Sequence, residues 1–303
     1  MIAETCYWIL NMSIVASLMG LIVMLIRKIR IIPRRVSVFL WIIPFLRMVL
    51  PVGLNSPYRL MSVFSRLTRN DTVFQPSDDI SFSISNYIRA ADSYSPFRFK
   101  SNGLNMVFTV TGFIWIVAAL ALLIALTILY VSTKKAVADS KLLNSNIYFS
   151  GKVDSPAVYG IIKPRIVIPE SYKEKNLEYI IRHEKTHIKR LDNLWRILGF
   201  VTASVHWFNP LSWVFLKAFL NDLELACDEM ALAGLEKDER KKYAMTLLEA
   251  SQSKSLLVSA FGGAKVRTRI ENVLSYKKMT LVSATGFTLL ILVIIFTLVT
   301  NAG

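Results

Sequence analysis

The chain has 303 residues, of which 53% are hydrophobic and 19% charged, and its formal net charge is +15. The charged fraction is below the roughly 25% of an ordinary soluble protein, and the apolar residues lie in long uncharged runs, which excludes a wholly soluble or disordered chain. Two cysteines exclude a disulfide scaffold and a Cys-rich zinc ribbon. In a soluble domain such a charge would indicate nucleic-acid binding, but in a membrane protein it comes from basic cytosolic flanks, and we favour the second interpretation.

Four uncharged runs are each long enough for a transmembrane helix, which needs about 20 apolar residues. They predict spans at about 5–26, 36–57, 105–132 and 279–303. A polar segment, residues 56–103, forms the predicted outer loop between the second and third spans. Arg47 interrupts the second run, and it is either a functional residue that faces the helix bundle or an arginine that reaches the outer headgroups.

Basic residues flank one end of each run and predict the orientation in the membrane. Glu4 precedes the first run and five basic residues follow it, which is the reverse of a cleaved signal peptide. Two lysines end the third run and two precede the fourth. The positive-inside rule therefore predicts a multi-pass protein of the cell membrane, with residues 134–278 in the cytosol and both termini outside.

A fifth uncharged run, residues 197–216, contains the sequence His-Trp-Phe-Asn-Pro at its middle. Proline removes a backbone hydrogen bond and Asn-Pro favours a turn, so a straight spanning helix is disfavoured. We predict two amphipathic helices that meet at this turn, as a re-entrant segment covered by protein or water. A full span would place residues 217–278 outside, against the basic flank of the last run.

The cytosolic region begins with short strands at 146–151 and 157–168, which are rich in β-branched residues and bounded by prolines. Because prolines prevent full pairing on both sides, we expect segment 157–168 to be an edge strand. An open edge can take up an extended peptide as an added strand, although prolines at an edge also serve simply to block aggregation. The candidate substrate-binding residues are Gly160, Ile166, Val167 and Ile168.

A metal-binding pattern follows, in a predicted helix. Residues 183–187 have the sequence His-Glu-Lys-Thr-His, and histidines four residues apart lie one turn apart on one helix face, so both imidazoles can reach one ion. Glu184 follows the first histidine, where a carboxylate can act as the general base of a zinc hydrolase. The chain has only three histidines, so an incidental occurrence on a solvated helix is a poor explanation.

A catalytic zinc ion needs three protein ligands and one open position. The acidic segment 222–229 is the best source of the third, because Glu224 and Asp228 lie four residues apart on one helix face among apolar residues. Glu224 can bind the ion while Asp228 accepts the free N–H of a ligating histidine. Two weaker alternatives are His206, in the re-entrant run, and Cys227, as a thiolate that completes a closed structural site.

The sequence contains three motifs: His183-Glu184-x-x-His187, Trp207-Phe208-Asn209-Pro210-Leu211 and Glu224-x-x-Cys227-Asp228-Glu229. Together they resemble the BlaR/MecR-type membrane-embedded gluzincin peptidases. The strand segment Gly160-x-x-x-Pro164-x-Ile166-x-x-Pro169 is also similar to that family's strand before the zinc helix. The resemblance is strongest over residues 150–276. It implies that His183, His187 and Glu224 bind one zinc ion, with Glu184 as the catalytic acid and base and Asp228 orienting a ligand.

The predicted fold is a mainly α membrane protein, with four transmembrane helices and a cytosolic α+β gluzincin-type zinc metallopeptidase domain. The resemblance implies an endopeptidase that cleaves a cytosolic protein, such as a transcriptional repressor, in bacterial signal transduction or antibiotic response. We expect contact with membrane lipid and no direct binding of nucleic acid. Formation of a homodimer is compatible with the sequence. In the founding members a penicillin-binding sensor domain follows the last span; this sequence ends at Gly303, so we expect no such sensor.

Two other functions are compatible with the same residues. One is a non-proteolytic membrane signal transducer that keeps the zinc fold and acts by binding a partner. The other is a membrane-proximal lipoprotein- or prenyl-protein-processing protease, which the re-entrant apolar segment suggests. Glu184 argues against the transducer, because a purely structural zinc has no use for a general base.

Overall fold

The computed structural model describes residues 2–29, 32–50, 102–173, 177–250 and 266–275, with short pieces at 54–55, 285–286, 289 and 300–301. The helices are α1 (Ile2–Ile26), α2 (Arg34–Val49), α3 (Asn102–Ala136), α4 (Glu178–Arg190), α5 (Asp192–Val205), α6 (Pro210–Ala231), α7 (Lys237–Ala250) and α8 (Val266–Leu274). The strands are β1 (Leu54–Asn55), β2 (Lys141–Asn144), β3 (Ile147–Ser150), β4 (Ala157–Tyr159), β5 (Arg165–Pro169) and β6 (Thr300–Asn301).

Two helices in the described part of the chain are long and apolar enough to cross a membrane. They are α1 and residues Met106–Ala136 of α3, and they correspond to the first and third predicted spans. In the most apolar stretch of α3 only 6% of the residues are buried within the protein, against 44% in α1. Helix α3 therefore leaves almost its whole apolar surface uncovered by the described residues.

Helix α2 is shorter than the second predicted span. It has 16 residues and ends at Val49, and Leu50 is extended, with φ −102° and ψ 117°. The ring of Pro51 disfavours the helical conformation for the residue before it, so the helix ends here. The prediction of a helix to residue 57 is therefore wrong, and residues 54–55 instead pair in parallel with 300–301. Most of the outer loop and of the fourth predicted span lies outside the described residues.

Helices α5 and α6 meet at the predicted Asn-Pro turn. Pro210 is the first residue of α6, where its missing N–H costs no helical hydrogen bond, and the Asn209 side chain accepts from the N–H of Leu211. The Nδ2 of Asn209 also donates to the hydroxyls of Ser13 and Ser17, each at 2.8 Å. Because these serines lie in the middle of α1, the turn sits beside the centre of that helix. The re-entrant topology of 197–216 stays a prediction.

An apolar core joins this helical hairpin to α1 and α2. Trp41 and Phe215 are fully buried and Phe219 is 1% exposed. A Cβ atom on Gly20 would overlap the ring of Phe215, so only glycine allows this close approach of α1 to α6. The packing fixes α6 against the first two helices of the chain.

The small sheet has the strand order β2-β3-β5-β4, with β3 and β5 parallel and the other pairs antiparallel. The expectation of one edge strand over 157–168 is wrong, because this segment contains two strands. Strand β5 is an interior strand, and Ile166, Val167 and Ile168 are fully buried in it. The prolines mark strand ends, and Gly160, with φ +90°, turns the chain out of β4. Strand β4 is one edge of the sheet, and β2 is the other.

Candidate metal centre

Helix α4 carries both histidines of the predicted metal site. His183 and His187 are 7% and 5% exposed, and their Nε2 atoms are 3.1 Å apart. The helix packs on the sheet through Ile180, which contacts the cluster around Ile166 and Ile168. The one-turn spacing thus brings two imidazoles to one point next to the sheet.

The Nδ1 atom of each histidine has a partner that fixes its proton. The Nδ1–H of His187 donates to Asp192 Oδ2 at 2.6 Å. The Nδ1–H of His183 donates to the hydroxyl of Tyr243 at 2.8 Å, and that hydroxyl donates to Asp228 Oδ1 at 2.8 Å. Because Nδ1 of each ring is engaged in these bonds, a metal ion would bind at Nε2.

Glu224 faces the same two nitrogens from α6. Its Oε2 lies 3.8 Å from the Nε2 of His183, and its Oε1 lies 3.7 Å from the Nε2 of His187. Ligands of a tetrahedral zinc ion, bound at about 2.0–2.1 Å, lie about 3.3 Å from one another. The two imidazoles and the carboxylate are therefore close enough together to hold one small cation.

Cys227 is a competing third donor, since its Sγ lies with both histidines within a 4.8 Å group of possible ligand atoms. The sulfur is 3.7 Å from the Nδ1 of His183, which is the atom bonded to Tyr243, and it also donates to the carbonyl of His183. An ion on that side of the ring would have to displace Tyr243. We therefore favour Glu224 over Cys227 as the third ligand.

The other histidine that the sequence offered has a different role. The Nε2 of His206 donates to the carbonyl of Met48 at 2.9 Å, at the turn between α5 and α6. Neither His206 nor Glu224 belongs to the compact group of possible ligands among the described residues, but Glu224 lies within 3.8 Å of both α4 histidine nitrogens. His206 is a packing residue of the helical hairpin.

Two arginines that the sequence analysis missed contact the acidic groups of the site. Arg196 of α5 donates to Glu224 Oε1. Arg269 of α8 binds both oxygens of Asp228 at 2.8 Å, and its Nη2 lies 3.2 Å from the Nε2 of His183. Because α5 and α8 come from separate parts of the chain, no local pattern could reveal these contacts.

The charges of the site keep its carboxylates ionised. Burial alone would raise the pKa of Glu224, but the charges of His187, Arg196 and Arg269 outweigh it and hold the pKa at about 2. Burial would likewise raise the pKa of Asp228, but the charges and hydrogen bonds of Arg269 and His183 outweigh it and hold that pKa well below its usual range. Burial would lower the pKa of His187, but Cys227, Glu224 and Asp192 raise it to about 9. This donor set suits a cation.

Glu184 lies next to His183 on α4 and is 7% exposed. It acts on Tyr159 of β4, whose pKa is raised by burial first and then by the charges of Glu184 and Asp154. The carboxylate is therefore within electrostatic range of the outer strand. The proposed general base therefore lies next to His183 on α4 and close to strand β4.

One side of β4 is already bonded to α5. The Nδ2 of Asn193 donates to the carbonyls of Val158 and Gly160, at 3.0 and 3.1 Å. Carbonyls of alternate residues point the same way along a strand, so these two groups lie on the side of β4 that does not pair with β5. An added strand at this edge would meet the Asn193 amide.

Comparison with known proteins identifies the family. The profile described as BlaR1 peptidase M56 matches residues 7–273. The chain is 33% identical over 134 residues to the methicillin resistance mecR1 protein of Staphylococcus aureus, a match that covers 42% of this chain and 23% of that protein. It is 28% identical over 135 residues to the regulatory protein BlaR1 of Bacillus licheniformis, covering 41% of this chain and 22% of the relative. A match to the regulatory protein BlaR1 of S. aureus, 28% identical over 158 residues, covers 47% and 27%.

The matched segments span about a quarter of the length of these relatives. The family match, in contrast, runs over most of this chain, from α1 to α8, and includes every residue of the metal centre. It confirms the resemblance that the three sequence motifs indicate. The chain belongs to the BlaR1 peptidase M56 family.

Proposed function

We propose that the protein is a membrane-embedded zinc metalloendopeptidase of gluzincin type that cleaves a cytosolic regulatory protein. The observation that carries the proposal is the convergence of His183 Nε2, His187 Nε2 and the Glu224 carboxylate, at 3.1 to 3.8 Å from one another. The names of the relatives, methicillin resistance protein and regulatory protein, support a role in antibiotic-response signalling. A transcriptional repressor is the proposed kind of substrate.

The chemistry proposed for this site is hydrolysis of a peptide bond. A zinc ion held by the three ligands would polarise the scissile carbonyl and lower the pKa of water. Glu184 takes the proton from the attacking water and delivers it to the leaving amine. The guanidinium of Arg269, 3.2 Å from the Nε2 of His183, supplies positive charge where the substrate oxygen becomes negative.

Three buried groups hold the two imidazoles in place for this chemistry. Asp192 binds His187 directly, and Tyr243 links His183 to Asp228. All three are at most 1% exposed, so water does not compete for these hydrogen bonds. Such carboxylate partners fix the tautomer and the ring orientation of metal-binding histidines.

The proposed route of the substrate follows β4, the outer strand beside the metal helix. A flexible segment would add to this edge as a strand, replacing the amide of Asn193 at the carbonyls of Val158 and Gly160. Ile166, Val167 and Ile168 lie in the interior strand β5, which pairs with β4 on the side away from the proposed peptide, so they do not touch it. This mode favours a flexible cytosolic segment over a folded domain.

The proposed setting is the cell membrane, with four spans, both termini outside and the active site on the cytosolic side. Helices α1 and α3 are long and apolar enough for two of these spans. The exposed apolar side chains of α3, such as Phe113, Val117 and Ile124, suit contact with lipid. Homodimer formation would bury part of the same surface.

A cleavage assay on the full chain in lipid nanodiscs tests the proposal. Wild-type protein, incubated with cytosolic extract, should generate new protein N-termini that disappear on chelation and return with added zinc. Glu184→Gln should generate none of them, whereas Glu178→Gln, the same change on the exposed first turn of α4, should cleave like wild type. An identical set of new termini from wild type and Glu184→Gln would refute peptidase activity at this site.

A further inference from the structure

Helix α6 carries acidic residues on two opposite faces. Asp222 and Glu229 are seven residues apart, which is two helical turns, so they share one face. Glu224 is offset by about 200° from Asp222 around the helix axis, so it lies on the other face with Asp228. One face meets the histidines and the other meets the first two helices of the chain.

Asp222 is tied to the end of α1 and to the middle of α2 by polar contacts. Arg27, directly after α1, binds both carboxylate oxygens of Asp222 at 2.8 Å. The indole Nε1 of Trp41 in α2 donates to the same carboxylate at 2.8 Å. Both Asp222 and Trp41 are fully buried, so their hydrogen bond is shielded from water, whereas Arg27 is partly exposed.

Glu229 caps the start of α2 from outside that helix. The residue at the cap position is Pro33, which offers no side-chain acceptor. The carboxylate of Glu229 instead accepts from the backbone N–H groups of Arg34 and Arg35, at 3.0 and 3.3 Å. The Nη2 of Arg35 also donates to the carbonyl of Glu229 at 2.8 Å. Helix α6 thus supplies the acceptors that the first turn of α2 lacks.

The opposite side of α6 is tied to α4. Arg190 donates to the carbonyl of Leu223 at 3.1 Å, and Arg182 donates to the carbonyl of Ala231 at 2.6 Å. Helix α6 is therefore clamped between the helix that carries the histidines and the pair α1–α2. Its rotation and its position along its own axis depend on both sets of contacts.

We propose that Asp222 and Glu229 are positioning residues that set where α6 presents Glu224 and Asp228 to the histidines. The inference rests on the proposed function, because Glu224 is taken as a metal ligand. A shift of the adjoining ends of α1 and α2 moves α6 through these contacts, and the rigid helix carries that shift to the metal centre. The positions of α1 and α2 thereby determine the geometry of the metal centre.

A purely structural role explains the Arg27–Asp222 ion pair less well. Removing the Asp222 carboxylate from water offsets much of what the pair gains, and apolar residues of similar volume often hold a core as firmly. What the bidentate contact of Arg27 supplies is a fixed geometry, because two parallel hydrogen bonds allow one orientation of the carboxylate. That geometry is useful at a helix whose other face must hold a ligand to within a fraction of an ångström.

Cobalt substitution of the full chain in nanodiscs tests the inference. The absorption spectrum at saturating Co²⁺ reports the coordination geometry, which loss of stability alone does not change. Asp222→Asn should alter this spectrum and weaken Co²⁺ affinity about ten-fold. Trp115→Phe, which removes the 2.7 Å bond from α3 to the Val205 carbonyl of α5, is the matched control and should leave both unchanged.

Glu229→Gln is the second variant, because it keeps one acceptor for the first turn of α2 and so preserves folding more readily. A folded Glu229→Gln or Asp222→Asn protein with the wild-type cobalt spectrum and affinity would overturn the coupling. The proposed function is tested separately. Wild-type protein that binds Co²⁺ normally but shows no Glu184-dependent cleavage would contradict the proposed peptidase activity. The cobalt spectra of the α6 variants would still decide whether Asp222 and Glu229 position Glu224.

Discussion

His187 and Asp192 are joined by a 2.6 Å hydrogen bond from Nδ1–H to Oδ2 across the end of α4. Leu191, with φ 57°, adopts the left-handed conformation that reverses the chain between them. The reversal brings the carboxylate back to a histidine only five residues earlier. The proton of the imidazole is thereby fixed on Nδ1, and Nε2 is left for the metal.

Asp192→Ala should lower zinc affinity by roughly 10- to 100-fold, because loss of a carboxylate partner frees the ring of a metal-binding histidine. Asp192→Asn keeps an acceptor for the Nδ1 proton and should have a smaller effect. Competition with a fluorescent chelator measures both affinities. Equal affinities of Asp192→Ala and wild type would mean that His187 needs no orienting partner.

Tyr243→Phe should weaken zinc binding less than Asp192→Ala does. The hydroxyl of Tyr243 links His183 to Asp228, but Asp228 Oδ1 is itself 3.3 Å from the Nδ1 of His183 and can accept its proton directly. We expect a loss of less than about ten-fold in the same chelator assay. Tyr179→Phe is the control, since Tyr179 packs edge-on against the ring of Tyr243. A similar loss in both variants would assign the effect to packing.

Val158→Pro should impair cleavage while zinc content stays at the wild-type level. The carbonyl of Val158 bonds Asn193, so its N–H also points away from β5, and proline removes a group that only an added strand would use. Leu143→Pro is the control on the opposite edge, at the irregular position of β2. Undiminished cleavage by Val158→Pro, followed by mass spectrometry of the products, would place the peptide elsewhere.

A cysteine at Lys152, in the exposed turn after β3, should be inaccessible to a membrane-impermeant thiol reagent in intact cells. The predicted topology places this turn in the cytosol, so labelling should require permeabilisation. Ser85→Cys, in the predicted outer loop, should be labelled in intact cells. Both tests use a Cys6→Ser background, and the remaining Cys227 is fully buried. Labelling of position 152 from outside would reverse the topology.

Local patterns were sufficient for the groups that lie on one helix. His183 and His187 meet because the helical repeat brings residues four apart together, and the spacing of Glu224 and Asp228 put both on one face of a helix. The structure brings these four residues together, while the identity of the metal stays a prediction. Of the missed groups, Asp192 had a local signal, an acidic residue just after the end of the metal helix.

Contacts between distant elements were beyond the reach of such patterns. Tyr243 and Arg269 arrive from α7 and α8, and only the packing of these helices brings them to His183. The edge position of segment 157–168 was predicted wrongly for the same reason, since β5 pairs in parallel with β3 although β4 lies between them in the sequence. The prolines around 157–168 indicated strand ends correctly, but they could not tell which strand lies at the edge.

Metal analysis of two variants of α6 tests whether His183, His187 and Glu224 hold one zinc ion. Glu224→Ala and Cys227→Ala each remove one possible donor from the same helix, three residues apart. After purification with zinc and removal of loosely bound metal, Cys227→Ala should retain about one zinc per chain, as wild type does, whereas Glu224→Ala should retain little. Full zinc occupancy in folded Glu224→Ala, with loss in Cys227→Ala, would show that Glu224 is not a ligand and that the site is a structural one closed by the thiolate.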